Sequence, residues 1–152
     1  MQSSIRSNKP RTGARRGLQQ ERFAAYFPRV FAYACAATGD EEAARDVVVA
    51  SFSDVYLLPD MRADEFELAL FGNARELCLS PEFRIKHPDD GLGTRERDVI
   101  SLVFDAQLGK AQVATLTGVP EETVAAILLR GLRKLRNRTS TGSVGNVAPS
   151  FS

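Results

Sequence analysis

"TGVPEETVAAILLRGLRKLR", residues 117–136, is the stretch on which the reading of this chain turns. Pro120 followed by Glu121 and Glu122 marks a helix start, because proline's fixed φ suits the first helical position and carboxylates suit the positive end of the helix dipole. From there apolar residues recur at three- and four-residue spacing. At ~100° per residue, setting Val124 inward brings Leu128, Gly131 and Leu135 to the same side, with Ile127 and Leu132 at its edges. Ala126, Leu129, Arg130 and Arg133 then point outward, and Arg130, Arg133, Lys134 and Arg136 make the end of the helix basic.

Upstream, a shorter periodic segment, 109–116, leads into the turn around Gly118. A short helix, a glycine-containing turn and a longer helix with a basic end, inside a net-positive segment, form the pattern of a helix-turn-helix, whose second helix enters the major groove of DNA. The plainer alternative is a small helical bundle whose basic end is only a solvated face. Thr94 can cap a further helix over 95–105 that buries Val99, Leu102 and Val103.

Before that, "SPEFRIKHPDDGLG", residues 80–93, holds two prolines and two glycines with little periodicity and reads as a linker. The first part of the chain is again helical. A helix over 18–37 carries Phe23, Phe27, Val30, Phe31 and Ala34 in one stripe and stops at Gly39, and Pro28 should kink or break it. Asp40 caps a second helix that runs to Leu57 and buries Ala44, Val48, Phe52 and Val55. A third, 62–79, turns Phe66, Leu70, Ala74 and Leu77 inward. No alternating β-branched run of useful length appears, so the fold class is all-α. Two small domains are expected, 18–79 and 94–138, flanked by a basic disordered tail, 1–17, and a Ser/Gly-rich disordered tail, 139–152.

A net charge of +1 over the whole 152 residues hides a strong segregation. Residues 1–22 hold six Lys/Arg against one Glu, residues 23–91 hold six against thirteen Asp/Glu, and residues 92–138 hold eight against five. Phosphate would repel the acidic middle and attract the basic ends, so the two halves should meet different partners. No apolar run approaches the ~20 residues of a membrane span, and the polar, basic N-terminus lacks the apolar core of a secretory signal. A soluble cytoplasmic protein without a membrane partner is expected. Cys35 and Cys78 fit buried reduced thiols better than a disulfide or a metal site. The single histidine, His87, lies in the linker between Lys86 and Pro88. With no Gly-rich phosphate loop and no ligand cluster, the chain is expected to be no enzyme, with no catalytic residue, metal or cofactor.

These residues resemble a known family. "LGTRERDVISLVFDAQLGKAQVATLTGVPEETVAAILLRGLRKLR" is similar to region 4 of sigma-70 family RNA polymerase sigma factors, especially the extracytoplasmic-function (ECF) type. "YFPRVFAYACAATGDEEAARDVVVASFSDVY" resembles regions 2.1 and 2.2, and "FELALFGNARELC" region 2.3, in the family's order. The resemblance implies that the first half docks on core RNA polymerase and opens the −10 element, while the second reads the −35 element. It assigns polymerase binding to Asp46 and Phe52, and DNA binding to Thr123, Arg130, Arg133, Lys134 and Arg136. Phe71 stands near the melted base in this scheme.

The chain also departs from the family. Arg45, Val49 and Ala50 replace usual polar or acidic residues in the polymerase-facing helix; Ala69 replaces an aromatic, and Glu76 an asparagine. In the recognition helix Ala125, Ala126, Ile127 and Leu129 occupy positions that are usually Lys, Ser, Arg and His. Base edges are discriminated by Arg, Lys, Asn and Gln at ~1–3 kcal/mol per bidentate pair, whereas Ala and Leu offer only contact with a thymine methyl. The helix therefore keeps cations that hold phosphate and lacks side chains that read sequence. Three functions stay open: a divergent sigma factor; a sigma-like decoy that presents Ala126 and Leu129 to an anti-sigma factor or other regulator; and a helix-turn-helix regulator dimerising through its acidic half. Four phosphate-facing cations would give a log–log salt slope of about −3 to −4 for DNA binding.

Overall fold

In a computed structural model, the backbone is described for residues 2–83 and 91–151, and the side chains for residues 13–82 and 91–138. His87 and the middle of the expected linker lie outside the described residues. Six α-helices account for the fold, with no strand among the described residues: α1 (Gln2–Thr38), α2 (Glu41–Tyr56), α3 (Ala63–Leu79), α4 (Thr94–Ile100), α5 (Lys110–Thr117) and α6 (Glu121–Phe151). The fold class is all-α, as the periodicity predicts.

The punctuation between helices follows the sequence closely at two places. Gly39 ends α1 with φ 71°, a left-handed conformation in which a side chain is strained. Asp40 then caps α2, its carboxylate accepting from the Ala43 N–H at 3.0 Å. Between α5 and α6, Gly118 adopts φ 75° and its N–H closes on the Ala114 carbonyl at 2.9 Å. α1 continues through Pro28 without a break, held on both sides of it by packing against α2 and α3: Phe23 meets Phe52, and Val30 and Tyr33 are buried.

Several expectations are corrected. α1 starts at Gln2 and α6 continues to Phe151, where the sequence reading has disordered tails. The Arg22 guanidinium donates to the Met61 carbonyl at 2.9 Å, the Tyr56 hydroxyl to the Gln19 carbonyl at 2.8 Å, and Arg15 pairs with Asp60 at 3.2 Å. These contacts hold the N-terminal half of α1 against α2 and the loop after it, and only Arg15 among them lies before the expected start at residue 18. Thr94 does not cap α4; Gly93 precedes the helix, and its N–H is accepted by the Glu96 carboxylate at 2.8 Å. The helix expected over 95–105 is regular only to Ile100 and widens into a π turn over Ser101–Asp105. It closes with the Ala106 N–H on the Ser101 carbonyl at 3.0 Å, before Gln107 turns the chain with φ 59°.

The two halves share one apolar core. Val30, Tyr33, Val47, Phe52, Leu70 and Phe71 from the first half belong to the same buried cluster as Val99, Leu102, Val113, Val124 and Ile127 from the second. The seam between them runs from α1 to the π turn and from α3 to α5, where Leu116 reaches the backbone beside Gly72.

Candidate nucleic-acid interface

α5, the Gly118 turn and α6 build the helix-turn-helix. Gln112, in the first turn of α5, accepts from the Gly109 N–H at 2.9 Å and so closes the helix start. α6 rests on α4 and α5 through Val124, Ile127 and Gly131. Gly131 lets α6 approach α4 closely: a Cβ there would stand 2.7 Å from Ile100 Cδ1, and that side-chain end would have to shift. The helical-angle reading of α6 holds for Val124 and Gly131, while Ile127, placed at the edge, is buried and Leu128 and Leu135 are only half-buried.

The outward face holds as well. Ala126, Arg130, Arg133 and Arg136 are exposed, Leu129 is 50% exposed, and Thr123 is half-buried at the edge. None of these side chains is covered by the acidic half. The structure thus brings together the expected cations and the expected apolar strip on one open surface.

Lys134 is the exception among the cations. By angle it stands beside the α4 contact, and its Nζ donates to Glu96 Oε1 at 2.8 Å. Arg130 Nε reaches Glu96 Oε2 at 4.0 Å while most of its guanidinium remains in solvent. The Lys134 hydrogen bond, followed by that from the Gly93 N–H, holds the Glu96 carboxyl below its ordinary range.

In the first half the site residues separate. Asp46 is exposed on α2 and can meet a partner. Phe52 is 3% exposed, its ring 4.8 Å from that of Phe23 and 5.8 Å from that of Tyr56, so it is a core residue and presents no docking surface. Phe71 is likewise fully buried and cannot stack on a base as it stands. The cations here are also engaged: Arg29 pairs with Glu67, Arg45 with Glu41, Arg62 with Asp64 and Glu65, and Arg75 with Asp98. Every described arginine between residues 23 and 83 is thus neutralised by a carboxylate, which leaves this surface acidic. Cys35 and Cys78 are free thiols, and burial pushes Cys78 up to about 12, where it stays protonated and unreactive.

Three residues that matter were not singled out from the sequence: Arg29, Arg75 and Glu96. Arg29 donates to the Ala106 carbonyl at 2.8 Å, the Gln107 carbonyl at 3.3 Å and Glu67 at 3.0 Å, with the rings of Tyr26 and Phe71 about its guanidinium. Glu67 in turn accepts from the Gln112 side chain. Arg75 pairs with Asp98 at 2.9 Å and donates to the Leu116 carbonyl at 3.2 Å. These two arginines fasten the helix-turn-helix to the first half at the start and end of α5. For Glu96 a local signal exists, since a carboxylate three residues after a helix cap commonly turns back to it.

Among the described residues no helix is long and apolar enough to cross a membrane. No curated protein matches this chain. Residues 90–137 match the family model of sigma-70, region 4, a DNA-binding transcription domain rather than an enzyme family, so the helix-turn-helix of α5 and α6 is of the kind that sigma factors carry.

Proposed function

We propose that this chain is a cytoplasmic, sigma factor-like transcription initiation protein of the divergent ECF type. Its C-terminal helix-turn-helix binds DNA, and its acidic half, with Asp46 on the exposed side of α2, associates with core RNA polymerase. The observation that carries this reading is the open outward face of α6, with Arg130, Arg133 and Arg136 exposed, on a segment that matches sigma region 4. Those cations suit phosphates, and Ala126 and Leu129 between them can add little base discrimination. DNA binding by α6 is therefore weak and nearly independent of sequence, with a relaxed −35 preference.

A second reading is favoured by one observation: Leu129 is half-exposed in the middle of this face, where an apolar side chain gains nothing from phosphate. In that reading α6 is the contact for an anti-sigma factor or similar regulator, and the chain is a decoy. Affinity capture of the tagged full chain from its own cell lysate at moderate salt separates the two. Recovery of the large polymerase subunits supports the sigma role; recovery of a small regulator without polymerase supports the decoy.

A further inference from the structure

Glu96 is 5% exposed, and its Oε2 is the one buried side-chain oxygen or nitrogen among the described residues without a hydrogen-bond partner. Burying a carboxylate is unfavourable unless cations and donors surround it. Here one oxygen takes both the Gly93 N–H and the Lys134 ammonium, at 2.8 Å each, while the other faces Arg130 at 4.0 Å without a hydrogen bond. The carboxylate is thus seated among the Gly93 N–H before α4 and two cations of α6, and it is these two cations that a DNA phosphate would recruit. Lys134 cannot serve both anions with one geometry. On the outward side of α6, Arg133 and Arg136 have no such competitor within 4.0 Å in the described ion pairs.

We infer that Glu96 is an internal anion that withholds Lys134, and in part Arg130, from DNA phosphate and so limits the affinity of the helix-turn-helix. This rests on the DNA-binding reading above. Each phosphate contact contributes about −0.9 to the log–log salt slope, so the expectation of four contacts from sequence falls toward two from Arg133 and Arg136. Removing the internal anion restores the others.

The test is fluorescence anisotropy of the full chain on one duplex at several KCl concentrations, comparing wild type, Glu96→Gln and Glu96→Gln with Lys134→Gln. Glutamine keeps an acceptor for the Gly93 N–H and removes the charge. The expected result is tighter binding of Glu96→Gln at low salt and a slope steeper by about 1–2, of which about 0.9 is lost again in the double variant. If Glu96→Gln melts too low to assay, Glu96→Asp, which withdraws the carboxylate by one carbon, should steepen the slope by a smaller amount. Wild type that binds DNA with a slope and affinity unaltered by these changes overturns the inference. Absence of DNA binding in wild type and variants alike overturns the DNA-binding reading itself, and this inference with it.

Discussion

Leu129 sits half-exposed among arginines, and single substitutions on α6 distinguish what its outward face is for. Leu129→Arg places a further cation on that face. It should strengthen binding to any duplex and steepen the salt slope by about 0.9, while abolishing capture of any regulator that docks on the apolar strip. No change in either measurement would make Leu129 a lone surface apolar residue, which is common. Glu96 carries a pH signature. Its folded-state pKa is lowered, chiefly by Lys134, so its contribution to stability is complete above the unfolded value and is lost as pH falls through that value and below. Thermal melts of wild type and Glu96→Gln should therefore differ at pH 7, with a difference that starts to shrink as pH falls through roughly 4.3 and vanishes only below the lowered folded-state value. A constant difference down to pH 3 would show that the carboxylate is not held by the ion pair.

At the level of elements, the π turn after α4 and the fastening of α5 were the least legible features. The apolar positions Val99, Leu102 and Val103 predict a regular helix, and nothing local announces that Ser101–Asp105 will widen. Its end is held from 77 residues upstream, where Arg29 satisfies the Ala106 carbonyl left free by the end of the helix. Arg29→Ala removes that donor and leaves Glu67 with Gln112 alone, in a pair whose side chains are less than one-fifth exposed. It should cost about 3 kcal/mol, and Arg29→Lys should recover little, because an ammonium cannot fork between two carbonyls and a carboxylate. Chemical denaturation followed by far-UV circular dichroism measures both; a loss below about 0.5 kcal/mol would show that the seam does not depend on Arg29.

For the whole molecule, what sequence could reach was set by distance along the chain. Helix starts and stops at Gly39, Asp40, Gly118 and Pro120 depend on neighbours a few residues away, and so did the inward and outward faces of α6. The resemblance put Phe52 at a polymerase contact and Phe71 near a melted base, although periodicity already turned Phe52 inward; here the Phe23 and Tyr26 rings of α1 cover them. The shared core could not be read either, since charge segregation pointed to separate partners for the halves and the Arg29 and Arg75 contacts join residues far apart in the chain. The seam leaves the recognition helix open, so the packing of the halves does not occlude DNA. The two halves are also fastened at both ends of α5, and a promoter spanning −10 to −35 extends some 85 Å at 3.4 Å per base pair. Engaging both elements at once would require that seam to part.

In the proposed function α6 holds DNA by its phosphates and does not read its bases. The most direct test measures full-length protein on a panel of unrelated duplexes of equal length, at two or more salt concentrations. The expected affinities agree within about threefold across sequences at each salt and fall together as salt rises. One duplex bound a hundredfold tighter than the rest, with the preference surviving at high salt, would mean that the recognition helix reads sequence through residues to which this account gives no such role.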